Sequence, residues 1–204
     1  SAYLNNYRYL MKLLSFVSWK TLGVSFLAMR LQGSPILINL FFGPQINAAF
    51  NIANRVSIQA TTISTALVGA FQPAITSMEG KGNRKKVLNA SLIVCKFGTL
   101  LVLFFVIPLL LEIEFVLILW LNNPPPFTGI LCQWLLSMLL VDRLTAGHMI
   151  AVNARGKIAV YELVQGSLLM SALPISWVLF NMGVGPVGMG YALFFSMTAY
   201  CIAR

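Results

Sequence analysis

Apolar residues in this chain run in long unbroken blocks instead of alternating with polar ones. Six blocks can be marked, at about 13–42, 48–77, 88–111, 128–152, 158–181 and 187–203. A helix needs roughly 20 residues to cross a hydrocarbon core about 30 Å thick, so the pattern predicts about six transmembrane helices. Barrel strands would show a two-residue alternation, which is missing here. The connectors fall into two kinds. Residues 77–86 and 153–157 are basic, and Arg8, Lys12 and Arg204 add charge of the same sign at the two ends. Residues 43–47, 122–126 and 181–188 contain no Lys or Arg. The two kinds alternate along the chain, which places the basic connectors and both ends in the cytoplasm. Residues 1–12 read as a cytoplasmic lead-in and 13–204 as one helical unit. The first block is a span and not a signal peptide, because it continues past Arg30 to Phe42 with no small-residue cleavage site.

Composition strengthens this reading. Hydrophobic residues make up 58% of the 204 and charged ones 9%, and only 5 residues are acidic. Too little polar surface remains for a water-soluble globule, and the chain is too apolar for disorder. The formal charge of +9 would suggest nucleic acid in a soluble protein. Here most of it lies in the basic connectors, so it reports topology and no nucleic-acid partner is expected. The 3 cysteines, Cys95, Cys132 and Cys201, stand apart in apolar runs, and His148 is the single histidine. No disulfide framework, zinc site or other metal site, and no cofactor, is indicated.

Charges within spans need a partner or a polar cavity. Arg30 lies near the middle of the first block. Arg55 lies about two turns into the second, within a stripe of Asn47, Asn51, Arg55, Gln59 and Thr62 at four-residue and near-four-residue spacing. Consecutive spans joined by a short loop pack antiparallel, so both arginines are expected to face one cavity. That cavity would take an anionic ligand, because guanidinium forks match phosphate. The competing reading has Arg55 snorkelling outward while the asparagines join helices. Asp142 and His148 in the fourth block are candidates for ion coupling, with Asp142–Arg pairing between helices as the structural alternative. Glu162 is expected to answer Arg155 or Lys157, and Glu112 and Glu114 to form a solvated outer rim.

Several segments carry a family resemblance. Residues 14–19, 39–49 and 52–56, then Ala70-Phe71-Gln72-Pro73-Ala74-Ile75, Ala154-Arg155-Gly156-Lys157 and Leu173-Pro174-Ile175-Ser176, resemble polysaccharide flippases. These are the O-antigen and capsule translocases of the multidrug/oligosaccharidyl-lipid/polysaccharide exporter superfamily. The resemblance implies two lobes of about six helices each around a cationic cavity. This chain, which begins with Ser1 and not Met, then reads as the second lobe, with the N-terminal lobe as its missing partner. The implied activity is alternating access in a bacterial inner membrane. It moves undecaprenyl-diphosphate-linked oligosaccharide, an anionic lipid-linked substrate, and involves no enzymatic step. Arg30 and Arg55 would hold the pyrophosphate or acidic sugars, and Asn47, Asn51, Gln59 and Thr62 would bond the glycan. The alternatives are a multidrug or organic-cation antiporter of the same superfamily, a membrane enzyme acting on polyprenyl phosphate, and a non-transporting scaffold.

Overall fold

The computed structural model describes residues 2–155 and 158–204, with the side chains of 2–9, 12, 63, 64, 67, 68 and 155 excluded. Its elements are α1 (Ala2–Gly80), α2 (Arg84–Leu111), α3 (Ile113–Leu121), α4 (Thr128–Arg155), α5 (Ala159–Met170), α6 (Ala172–Asn181) and α7 (Val187–Ala203). Among the described residues there is no strand. Four helical stretches are long and apolar enough to cross a membrane: Leu13–Thr62, Arg84–Leu111, Thr128–Ala154 and Ala159–Asn181. Large side chains such as Leu40, Phe104, Leu111 and Leu119 are exposed on the outside of the bundle. In water such a surface would be a liability, and in lipid it is matched to its solvent. The chain is an all-helical membrane protein.

The most consequential departure from expectation is in α1. A five-residue connector was expected over 43–47, but the helix is interrupted at Gly43 alone (φ 79°, ψ −178°). That conformation is open essentially only to glycine. Pro44 then starts the second arm, where its missing N–H has no helical partner to lose and its fixed φ suits a first helical turn. The arms fold back on one another. On a straight helix Arg30 and Asn54 would stand about 36 Å apart, yet both line one cavity of about 30 Å³ together with Ser34 and Phe50. Ile38 from the first arm and Ile46, Ala49, Phe50 and Ala53 from the second share the main apolar core with α2, α3, α4, α6 and α7.

Two other expectations change. The fifth block is two helices, α5 and α6, broken at Ser171. Pro174 has no N–H to give to the Met170 carbonyl, so the ladder fails one turn before it. After the third block the chain does not become a rim loop directly. It forms α3, whose Ile113 and Leu117 are buried while Glu112 and Glu114 are exposed. The α2–α4 packing is close: a Cβ on Gly147 would overlap the Ser91 carbonyl oxygen. Only glycine lets the two backbones approach this far.

Candidate functional site

The second arm of α1 presents its polar stripe to an open cavity of about 790 Å³. Asn51, Asn54, Arg55 and Gln59 line it with Val56, Ile58 and Ala60 of the same arm, and Phe105, Leu109 and Trp120 add apolar lining from α2 and α3. Arg55 is exposed to this space. Asn47 and Thr62 are tied up locally and do not reach it. Asn51 Nδ2 donates to the Asn47 carbonyl (2.9 Å) and to its side-chain oxygen (3.2 Å), and the Thr62 hydroxyl donates to the Ile58 carbonyl at 3.1 Å.

Arg30 does not share this cavity. It is 6% exposed and lines the separate 30 Å³ cavity beside Leu135 and Met138 of α4. Its Nη1 lies 4.0 Å from the Met138 sulfur, and its buried Nε has no hydrogen-bond partner. Asn54 lies on the walls of both cavities and is the residue between them. The two arginines thus line separate cavities that share one asparagine, instead of converging on one space.

Asp142 pairs with the adjacent Arg143 and, at 3.6 Å, with Arg204 at the end of α7. Neighbouring helical positions point about 100° apart. The long guanidinium arm bends back to reach the carboxylate. Arg204 Nη1 also donates to the Thr145 hydroxyl at 2.9 Å and stacks 4.9 Å above the Tyr200 ring. His148 is separate from this network: its Nδ1 lies 3.5 Å from Cys95 Sγ on α2.

Glu162 has a partner on a distant helix, while the partners expected for it from the sequence are not described. Arg155's side chain and Lys157 lie outside the described residues. The carboxylate, 3% exposed, meets Lys20 Nζ at 2.5 Å, joining α5 to the first arm of α1. Gly23, one turn from Lys20, leaves the space this carboxylate occupies. Sequence reading missed this pair because its members lie 142 positions apart. The one signal available was an unexplained lysine inside the first span.

Among the described residues no group of three or more His, Cys, Asp or Glu side chains is placed to hold a metal. A scan against protein-family models found no match, and neither curated proteins nor solved structures gave one.

Proposed function

We propose that this chain is one lobe of a flippase that moves an oligosaccharide linked to undecaprenyl diphosphate across a bacterial inner membrane by alternating access. On this reading it crosses six times, through the two arms of α1, then α2, α4, α5 with α6, and α7. The basic residues 81–86 face the cytoplasm, as do both ends, and residues 122–126 face outward. A second lobe closes the cavity.

The observation that carries the proposal is the mixed lining of the 790 Å³ cavity. Arg55, Asn51, Asn54 and Gln59 share it with apolar residues that include Phe105, Leu109 and Trp120. A guanidinium and three carboxamides suit pyrophosphate and sugar hydroxyls, while the apolar lining suits an isoprenoid chain. The organic-cation antiporter lacks comparable support. Glu79, Asp142 and Glu162 are each in ion pairs, and Glu112 and Glu114 are exposed beside α3, so no carboxylate lines the cavity. The enzyme reading would want clustered acid, base or metal-ligating groups there, and this lining has none.

In the full-length protein, Arg55→Ala should remove surface polysaccharide while leaving the amount of protein in the membrane unchanged. A charge-assisted hydrogen bond is worth about 2 kcal/mol, or about 30-fold in substrate affinity. Arg55→Lys tests whether charge alone suffices. Normal polymer in Arg55→Ala would overturn the cavity assignment.

A further inference from the structure

The Cys95–His148 pair is absorbed neither by the transport reading nor by the Asp142 network. Cys95 is 7% exposed, deep in the α2–α4 seam. Two nitrogens approach its sulfur: the Gly147 backbone N–H donates to Sγ at 3.2 Å, and His148 Nδ1 lies at 3.5 Å. The cysteine and the histidine come from different helices, and the seam is held at this separation by Gly147, where any Cβ would strike Ser91. His148 is only half-buried, so the imidazole is the less enclosed member of the pair.

We propose that Cys95 Sγ and His148 Nδ1 form a two-ligand site for a soft monovalent cation, Cu(I) or Ag(I). Thiolate and imidazole are the ligands such ions select. Charge decides between ion classes here. One thiolate, one neutral imidazole and one monovalent cation sum to zero, which a low-dielectric seam tolerates. A divalent ion with the same ligands leaves an uncompensated positive charge. Two ligands also leave zinc without its usual four-coordinate shell. Binding breaks the Cys95 S–H bond and forms a sulfur–metal bond. The Nδ1 lone pair goes to the metal, so the thiol proton leaves to the surrounding buffer and no electron is transferred. With the bonds zinc makes, about 2.3 Å to sulfur and 2.0 Å to nitrogen, a linear arrangement would need the two atoms ~4.3 Å apart, and the larger Ag(I) needs a few tenths of an ångström more. The pair therefore has to open from 3.5 Å by about 1 Å, with the half-buried imidazole as the member freer to turn.

The test uses the whole chain purified in detergent, in a Cys132→Ser/Cys201→Ser background, with Ag(I) as the probe because it does not change oxidation state. Calorimetry should give one ion per chain, with one proton released, and a raised unfolding temperature as the ion ties α2 to α4. Cys95→Ser should weaken this binding by ~100-fold or more, and His148→Gln by at least ~10-fold; loss of an outer-shell partner alone costs about 10–100-fold. Zn(II) should neither match Ag(I) affinity nor raise the unfolding temperature. Unchanged binding in either variant overturns the site. So does binding lost in Cys95→Ser but untouched in His148→Gln, which marks a bare thiol. The unfolding temperatures of the metal-free variants, within a few degrees of the parent, show that a loss is not misfolding.

Discussion

At the scale of single residues, the informative positions are those where a side chain depends on a neighbour's lack of one. The Glu162 carboxylate occupies the volume that a Cβ on Gly23 would claim, and from there it meets Lys20. Gly23→Ala should therefore displace the carboxylate and lower stability by about 1–3 kcal/mol, the usual cost of overpacking. In a Glu162→Ala background the same substitution should cost little, because the group it strikes is gone. Thermal unfolding of the two single variants and the double variant measures this coupling, and strict additivity would remove the link between the glycine and the carboxylate. Arg30 presents the opposite case, a buried cation whose Nε has no acceptor among the described residues. Its position inside a span was legible from sequence, since a mid-span arginine is conspicuous against apolar neighbours. Its separation from Arg55 was not, because that depends on the rotation of one arm about its axis relative to the other.

At the scale of elements, helices were legible wherever an apolar block was long and its ends were marked by glycine, proline or charge. The last block at 187–203 coincides with α7, and the third and fourth differ from α2 and α4 by only a few residues. Junctions were less legible. Residues 43–47 carry every mark of a loop, yet Pro44 starts a helix as well as it ends one, and the turn needs Gly43 alone. Residues 113–121 were overshadowed by Glu112 and Glu114, although Ile113 and Leu117 on one face bury a short helix. Gly43→Ala should lower stability by about 1–3 kcal/mol, the range for a side chain forced into such a backbone conformation. Chemical or thermal unfolding in detergent checks this, and an unchanged midpoint would mean that the arms are joined in some other way. Gly147→Ala should be more severe, because its obstacle is the backbone of Ser91 and not a movable side chain.

At the scale of the whole molecule, the lobe reading makes a statement about sides. In a background lacking the native cysteines, Lys85→Cys should react with a membrane-impermeant thiol reagent only from the cytoplasmic face, and Asn123→Cys only from the outer face. Labelling of both from one side would remove the six-crossing arrangement. The sequence shows this alternation of charge because loop charge is local, whereas the shape of a cavity depends on which faces meet. The turn at Gly43 bears on how such a molecule can vary in length. A flexible loop absorbs an added residue, but a one-residue turn passes it straight into the next helix. One alanine inserted after Pro44 would turn everything beyond it by about 100° and advance it by about 1.5 Å. Asn51, Asn54, Arg55 and Gln59 would leave the cavity together, though none had been altered. Residues 122–127, which lie between helices and not within one, impose no such phase. The chain thus has one junction whose length is fixed by the geometry of the cavity and another that can grow or shrink without disturbing it.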